Sequence, residues 1–261
     1  MKTLKDYLFY SDQWATIYCG DCLEILPLIE DKFDLIVTDP PYGLNYNNGD
    51  LANYRESAFG GDKSRQIARP IDNDGEEESL KLFEAFLKIS KDKLLKGGAC
   101  CCCGGGGPKP LFAKWTLLMD EIIGFKQAVV WDKGGLGMGI HYRRSYEFVL
   151  IAQNGDPAHR WNGGKITSNV WYIPKIIPTE KQHPTEKPVA LFRTMIRIHA
   201  NQGDLILDPF MGHGTSLEAS KKELCKSIGI EINPKYCEIA VKRLRQEVFD
   251  FRRPNENHPI P

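Results

Sequence analysis

A chain of 261 residues with 42% hydrophobic side chains is long enough to form one α/β domain with a full core. It contains no run of 18 apolar residues and its first residues are polar, so the sequence predicts neither a transmembrane helix nor a signal peptide. The 34 basic and 34 acidic side chains cancel, so any surface for nucleic acid must come from an uneven distribution of charge.

The eight cysteines are expected to be free thiols. Cys100–Cys103 are consecutive in an apolar segment, where they are typical of small buried residues in a strand. Cys19 and Cys22 have the spacing of a metal knuckle, but no second pair with suitable spacing follows, so no metal is predicted. Free thiols fit a reducing cytoplasm.

Apolar runs that alternate with helical patterns predict an α/β, doubly wound sheet. The predicted strands are Thr16–Cys19, Leu35–Thr38, Ala99–Cys103, Phe125–Trp131, Tyr146–Ala152, Asp204–Leu207 and Lys226–Glu231. The predicted helices are Leu23–Ile29, Gly75–Leu95, Pro110–Ile123, Lys187–His199, Leu217–Glu223 and a last one that ends near Val248. Residues 43–74 are polar and too many for a simple connection, which indicates a functional or disordered loop, and residues 153–182 lack clear periodicity.

A short turn, Asp39-Pro40-Pro41-Tyr42, follows the predicted strand that ends at Thr38. Asp39 and the Pro40 carbonyl only accept hydrogen bonds, so together they can take both hydrogens of an exocyclic amine. Tyr42 can stack on a planar ring, and the two prolines make the turn rigid. The turn therefore suits a planar, amino-bearing ring, although an ordinary Asp-Pro turn after a strand is the alternative.

A second motif, Asp208-Pro-Phe-Met-Gly-His-Gly-Thr-Ser216, lies between a predicted strand and a predicted helix. This is the layout in which backbone meets a nucleoside-type cofactor at a helix N-terminus. Glu231 ends the next strand, 19 residues after Gly212, an interval at which an acid can bind ribose hydroxyls. A nicotinamide enzyme is one alternative for this half of the chain. However, the third glycine is absent and Asp208 would repel a pyrophosphate, which favours S-adenosylmethionine.

Taken together, these motifs resemble the S-adenosylmethionine-dependent DNA amino-methyltransferases of the permuted β group. The resemblance spans roughly residues 14 to 248, with the catalytic turn early and the cofactor turn late. It also includes His183-Pro-Thr-Glu-Lys-Pro188, Gly20-Asp21-Cys22 and Trp131-Asp132-Lys133. It implies one circularly permuted catalytic domain with a seven-stranded sheet over residues 1–261, in which the last strand is antiparallel.

The resemblance also implies cofactor roles for particular residues. Asp21 would accept from the cofactor adenine amine, Glu231 would bind the ribose hydroxyls, and Lys187 would lie near the cofactor carboxylate. Asp208, Gly212 and Gly214 would form the turn around the methionine part of the cofactor. Thr215 and Ser216 would donate towards the cofactor carboxylate at the start of the helix.

The turn beginning at Asp39 predicts methylation of the N6 amine of a flipped adenine, because Asp at this position is the usual adenine form of the family and Ser the usual cytosine form. An N4-cytosine DNA methyltransferase is the first alternative. An RNA or protein amide methyltransferase and a non-catalytic DNA-binding relative are the others, although amide methylation usually goes with Asn at this position and a non-catalytic relative would need a damaged turn.

Charge is distributed unevenly along the chain. Residues 1–100 hold 12 basic and 18 acidic side chains, whereas residues 133–200 hold 10 basic and 4 acidic ones. The basic segment also contains glycine-rich turns and the aromatic residues Tyr142, Trp161, Trp171 and Tyr172. We therefore expect residues 133–182 to face double-stranded DNA, with Arg143 and Arg144 as contacts, although a solvated basic face without a ligand is the alternative. A homodimer is one expectation, and a cognate restriction endonuclease cannot be inferred.

Overall fold

The computed structural model describes residues 2–41, 76–104, 111–136, 143–156, 160–176 and 186–246. Tyr42 and the predicted loop 43–74 lie outside the described residues. The strands are β1 (Leu8–Ser11), β2 (Ala15–Cys19), β3 (Phe33–Thr38), β4 (Leu94–Gly104), β5 (Phe125–Asp132), β6 (Tyr146–Gln153), β7 (Val170–Tyr172), β8 (Leu205–Asp208) and β9 (Lys226–Glu231).

The described α-helices cover the two faces of the sheet. They are α1 (Leu4–Tyr7), α2 (Cys22–Ile25), α3 (Glu76–Lys93), α4 (Leu111–Ile122), α5 (Val189–His199), α6 (Thr215–Lys222) and α7 (Pro234–Arg245), and a short 3-10 helix (Leu26–Leu28) follows α2. Local sequence sets several of their ends. For example, the side chain of Asn233 accepts from the backbone N–H of Lys235, and Pro234 occupies the first turn of α7, where its missing N–H costs nothing.

The nine described strands form one mixed sheet in the order β1-β2-β9-β8-β3-β4-β6-β5-β7. The five central strands β2, β9, β8, β3 and β4 are parallel, and β6 runs antiparallel to both of its neighbours. β3 and β8 pair with each other, but the chain continues from β3 to β4 on one side of this pair and from β8 to β9 on the other. Ligands of doubly wound sheets bind at such a switch point, beside the carboxyl ends of the strands.

The core lies on both faces of the central strands. Helices α2, α3 and α4 pack on one face, where Phe83 stacks on Trp115 with ring centroids 4.2 Å apart. Helices α5, α6 and α7 pack on the other face. The consecutive cysteines of β4 are divided between the two, because Cys100 and Cys102 lie in the first core and Cys101 and Cys103 in the second. The prediction that they are buried core residues is therefore confirmed.

The predicted α/β, doubly wound sheet is confirmed, and all seven predicted strands are present. The two edge strands β1 and β7 were not predicted. β1 has no buried residue, and β7 has three residues of which only Trp171 is buried, so neither carries a hydrophobic pattern that a sequence could reveal. No described helix has the length and apolar character that a bilayer-spanning segment needs.

Candidate active site

Four carboxylates lie at the edge of the sheet where the parallel strands end. Asp39 follows β3, Asp208 ends β8, Glu231 ends β9, and Asp21 lies two residues beyond β2. Because these four strands are neighbours in the sheet, residues from distant parts of the chain meet along one edge. The fold therefore brings together the two halves of the site that the sequence predicted separately.

Asp39 is held by an ion pair with Lys187. The Lys187 ammonium lies 2.7 Å from one Asp39 oxygen and 3.0 Å from the other. The lysine side chain is only 7% exposed, whereas that of Asp39 is 23% exposed. Pro40 is buried, and no described peptide bond is cis, so the turn leaves β3 with both prolines in the ordinary trans form. Lys187 therefore has a different partner here from the cofactor carboxylate that the resemblance implied.

A second carboxylate, Glu147 of β6, lies on the other side of Lys187. Its carboxylate is 3.5 Å from the Lys187 ammonium and 3.0 Å from that of Lys133. Burial alone would raise the pKa of Glu147, but the two lysines hold it below its usual value. Glu147 is thus ionised at neutral pH and belongs to the same group of charges as Asp39.

Asp208 connects the end of β3 with the glycine turn that follows β8. One of its oxygens accepts from the Thr38 hydroxyl at 2.7 Å and from the backbone N–H of Phe210 at 3.0 Å, and the other accepts from the Ser216 hydroxyl. The side chain is buried, and this burial raises the pKa of Asp208 to about 6, although the hydrogen bonds from Ser216 and Thr38 lower it. The hydroxyl of Ser216, for which the resemblance implies a role at the cofactor, thus donates to Asp208 in this structure.

The glycine turn between β8 and α6 needs two glycines for different reasons. Gly212 and Gly214 have φ values of 50° and 74°, in the left-handed region that glycine favours. A Cβ on Gly214 would lie 2.7 Å from the Cβ of Ala240, so a side chain there would separate α7 from the turn. A Cβ on Gly212 would meet nothing within 4 Å, so open space lies in front of this residue.

Glu231 and Asp21 lie on either side of the junction between β9 and β2. The backbone N–H of Gly20 donates to the Glu231 carbonyl at 3.0 Å, which holds the two strand ends together. The Glu231 carboxylate accepts from the backbone N–H of Gly212 at 3.0 Å and from that of Asn233 at 2.8 Å. One oxygen of Asp21 accepts from the N–H of Leu23 and caps α2.

The start of α6 is fixed by Arg243 of α7. Its guanidinium donates to the Thr215 hydroxyl at 3.1 Å and lies 3.2 Å from Glu218, and it also pairs with Glu186 at 2.5 Å. Glu186 is the neighbour of Lys187 in the chain. The same two-residue segment therefore reaches the start of α6 through Glu186 and Arg243, and contacts Asp39 through Lys187.

The residues at this edge fit an adenosyl cofactor. A carboxylate has about four lone-pair positions. Glu231 accepts from two backbone N–H groups and Asp21 from one, and carboxylates at these positions can also accept from ribose hydroxyls and from an amine. The open space in front of Gly212 would admit the ligand, and α6 begins directly after the turn with its backbone N–H groups. Among the described residues, no group of His, Cys, Asp and Glu could hold a metal ion.

The basic segment 133–200 differs from its prediction in an important way. Five of its basic residues pair with carboxylates inside the protein, namely Lys133, Arg160, Lys187, Arg193 and Arg197. Much of its positive charge therefore neutralises acidic residues of the fold and is not available to a ligand. Arg143 is exposed and Arg144 is half-buried, both just before β6. Of the aromatic residues, Trp161 and Tyr172 are exposed, but Trp171 is a core residue, so its assignment to a DNA-facing surface was wrong.

Three residues of the site were not predicted. Thr38, Glu147 and Arg243 owe their places to the sheet order and to helix packing, which no local motif encodes. One sequence signal could have placed Glu147 at this edge of the sheet. It is an acid at the start of a strand predicted to be antiparallel, and such a strand begins where its parallel neighbours end. Among the described residues, Glu147 forms ion pairs with Lys133 and Lys187 and not with Arg144, the partner that sequence proximity suggests.

Comparisons with known proteins agree with this geometry. The chain is 27% identical over 279 residues to the DNA adenine methyltransferase YhdJ of Escherichia coli (strain K12), with 94% of this chain and 87% of that protein covered. Its fold matches the crystal structure of the M1.HpyAVI-SAM complex with a TM-score of 0.62 at 23% identity, covering 88% of this chain and 99% of that one. It also matches the PvuII DNA methyltransferase (cytosine-N4-specific) with a TM-score of 0.67 at 18% identity, covering 95% and 89%.

A family model settles the assignment. The model for the N6 and N4 methyltransferases, described as DNA methylase, matches residues 33–242. The match includes β3 with its turn, the segment around Lys187, the glycine turn and Glu231. The chain therefore belongs to the N6/N4 DNA methylase family.

Proposed function

We propose that this DNA methylase transfers a methyl group from S-adenosylmethionine to the exocyclic N6 amine of an adenine flipped out of duplex DNA. The observation that carries the proposal is the position of Asp39. Its carboxylate follows β3 at the switch point of the sheet, directly beside the strand β8 that leads into the glycine turn. A base bound at Asp39 and a cofactor bound at the glycine turn would therefore be neighbours.

The proposed chemistry depends on hydrogen-bond acceptors. The N6 lone pair of adenine is delocalised into the ring, so the amine is a poor nucleophile. Asp39 and the Pro40 carbonyl would accept its two hydrogens and localise the lone pair on nitrogen, and the Asp39 charge would stabilise the positive charge that develops there. Tyr42, which lies outside the described residues, would stack on the ring. When bound, the cofactor supplies a methyl group on a sulfonium, and placement in line accounts for much of the acceleration.

The proposed cofactor site combines the residues of the glycine turn with two acids. Glu231 would accept from the ribose hydroxyls, Asp21 from the adenine amine of the cofactor, and the open space before Gly212 would allow the close approach of the backbone. The hydrogen bond between Ser216 and Asp208 would hold the two ends of the glycine turn together and so fix the shape of this site. Thr215 would be held for cofactor contact by Arg243.

Two features favour adenine over cytosine as the methylated base. Asp39 stands at the position where Asp is the usual adenine form of the turn, and YhdJ, which matches nearly the whole chain, is named a DNA adenine methyltransferase. The PvuII enzyme, whose fold also matches, is named cytosine-N4-specific. Cytosine N4 is therefore the second candidate, because both bases present an exocyclic amine to the same pair of acceptors.

A transfer assay with nucleoside analysis tests the proposal. The chain is incubated with methyl-labelled S-adenosylmethionine and, separately, with duplex DNA, RNA and protein. We expect label in DNA only, recovered as N6-methyladenine after digestion. Recovery as N4-methylcytosine would change the base but keep the mechanism. Label in RNA or protein alone, or transfer to none of the three, would overturn the proposed function.

Several finer points belong to the same proposal. Residues 133–182 would contact the DNA, the enzyme would act in the cytoplasm, where its eight free cysteines stay reduced, and it would form a homodimer. Light scattering at working concentration distinguishes a dimer from a monomer. A partner restriction endonuclease would be found as a nuclease whose cleavage this methylation blocks.

A further inference from the structure

Four charged side chains of alternating sign form a continuous ion cluster at the catalytic turn: Lys133, Glu147, Lys187 and Asp39. The distances along it are 3.0 Å from Lys133 to Glu147, 3.5 Å from Glu147 to Lys187 and 2.7 Å from Lys187 to Asp39. The side chains of Lys133, Glu147 and Lys187 are 14%, 21% and 7% exposed, and that of Asp39 is 23% exposed. The cluster is therefore largely shielded from water, where ion pairs are strongest.

The antiparallel direction of β6 creates this cluster. β6 begins where β4 and β5 end, so Glu147 lies opposite Trp131 near the carboxyl edge of the sheet. Lys133 follows β5 directly and its backbone N–H donates to the Ser145 carbonyl at 2.9 Å. Lys187 enters from the segment before α5. Three separate parts of the chain thus converge on the residue after β3.

The hydrogen-bond capacity of Lys187 decides its role. An ammonium has three hydrogens and no acceptor. Two of them can be donated to the Asp39 oxygens, which lie 2.7 and 3.0 Å from the nitrogen. The third can point towards the Glu147 carboxylate, 3.5 Å away. Among the described residues, the contacts of the Lys187 ammonium thus go to two carboxylates, those of Asp39 and Glu147. This geometry suits a residue that orients Asp39.

We propose that Lys187 and Glu147 are positioning residues of the methyl transfer, which orient the Asp39 carboxylate and keep it ionised for the incoming amine; the inference rests on the proposed function of Asp39. Lys187 binds both oxygens of Asp39 and so fixes the rotation of the carboxylate, whose oxygens can each accept more than one hydrogen bond. Glu147 in turn fixes the ammonium, and Lys133 neutralises Glu147. Misplacement of a reacting group by about 1 Å can cost 100-fold in rate, so such orientation has kinetic consequences.

Other titratable groups also face this site. Asp208 lies at the end of β8, and the negative charge of Asp39 helps to raise its pKa. The Cys103 thiol of β4 lies within the field of Asp39, Lys187 and Glu147, but burial raises its pKa well above the usual value and keeps it neutral. Lys187 is thus the cation that offsets the negative charge of Asp208 and Glu147 at Asp39.

The test compares three variants, Lys187→Met, Lys187→Arg and Glu147→Gln, with two matched controls. Glu223 lies between Arg193 and Arg197 at the end of α6 as Glu147 lies between two lysines. Glu223→Gln and Arg193→Met therefore disturb a comparable, partly buried ion pair away from the site. For each protein we would measure the rate of a single turnover at saturating DNA and cofactor, its pH dependence, the affinity for S-adenosylmethionine by calorimetry, and the melting temperature.

We expect Lys187→Met and Glu147→Gln to lower the single-turnover rate by about 10- to 100-fold without changing cofactor affinity, and Lys187→Arg to recover most of the loss. The pH at which the rate falls to half on the acid side should rise by about one unit in Lys187→Met, because a cation favours the neighbouring ionised carboxylate. Glu147→Gln removes an anion and should not raise it. The control variants should lose stability only.

Three results would overturn the inference. One is a weaker cofactor affinity in Lys187→Met with an unchanged rate at saturation, which would make Lys187 a cofactor ligand. Another is a fall in melting temperature with rates equal to those of the controls. The third is a pH profile that does not move. A wild-type protein that methylates no adenine would be a different failure, since it would refute the proposed function itself and the inference with it.

Discussion

The Thr38 hydroxyl donates a hydrogen bond of 2.7 Å to the carboxylate of Asp208, a residue 170 positions later in the chain. Thr38 is the last residue of β3 and immediately precedes Asp39, whereas Asp208 is the last residue of β8 and begins the glycine turn. Because both side chains are buried, this bond fixes the distance between the two strand ends. The separation between a bound base and a bound cofactor would depend on it.

Replacement of Thr38 by Val keeps the shape of the side chain but removes the hydroxyl. The buried Asp208 carboxylate would lose one of its three donors, and we expect the free energy of unfolding to fall by about 1–3 kcal/mol. Urea unfolding of both proteins measures the difference. Thr16→Val is the control, because the Thr16 hydroxyl shares a hydrogen bond with that of Ser11 at an exposed site. Equal, small effects at both positions would show that the Thr38 bond contributes nothing.

Asp208 should make stability depend on pH in an unusual direction. Its pKa is about 6 in the folded protein and 3.8 ordinarily, so between these pH values the folded protein holds a proton that the unfolded chain has released. The stabilisation is therefore complete below about pH 4, falls as pH rises towards 6, and is constant above. Relative to Asp208→Asn, the wild type should lose on the order of 3 kcal/mol across this range. A difference between the two proteins that does not vary with pH would contradict this assignment.

Glu231→Ala should weaken cofactor binding. Loss of a hydrogen bond to a charged group costs about 1.5–3 kcal/mol, which is at least a tenfold rise in the dissociation constant for S-adenosylmethionine. The variant would also release the backbone N–H groups of Gly212 and Asn233, which loosens the glycine turn. Calorimetry measures the affinity, with Glu238→Ala on the exposed side of α7 as the control. Unchanged affinity in Glu231→Ala would move the ribose site elsewhere.

The sheet and the two motifs could be predicted from sequence because their signals are local. Continuous apolar runs such as Phe33–Thr38 indicate buried parallel strands, and each motif lies directly at the end of its strand. The glycine turn and Asp39 were recognised for the same reason. Edge strands such as β7 carry no comparable pattern, since their residues alternate between solvent and a single buried side chain.

The charge contacts of the site could not be predicted in this way. Lys187 and Asp39 are 148 residues apart, and their pairing depends on the packing of the segment before α5 against the end of β3. The positive surplus of residues 133–200 predicts a DNA-facing surface, yet Arg160 pairs with Asp34 and Asp204. Arg193 and Arg197 pair with Glu223. Counting charge along a chain cannot distinguish a ligand surface from internal neutralisation.

Arg143 and Arg144 are the part of that prediction that still needs a test. If both contact phosphates, replacing them by Ala should weaken binding to all DNA sequences about equally and reduce the slope of log affinity against log salt by about 2. If one of them reads a base, specificity should instead relax at one position, at a cost of about 1–3 kcal/mol. Lys81→Ala with Lys88→Ala, two exposed lysines of α3, is the control. Unchanged affinity and slope in the arginine variant would remove this segment from the DNA surface.

The role of Asp39 is the central claim, and single-turnover methyl transfer by Asp39→Ala tests it most directly. The reaction would use duplex DNA and saturating labelled S-adenosylmethionine, with cofactor affinity measured on the same preparation. The account predicts that the variant forms no N6-methyladenine while cofactor affinity stays close to that of the wild type, because Asp39 faces the base and not the cofactor. Methylation retained at more than a small fraction of the wild-type rate would contradict it.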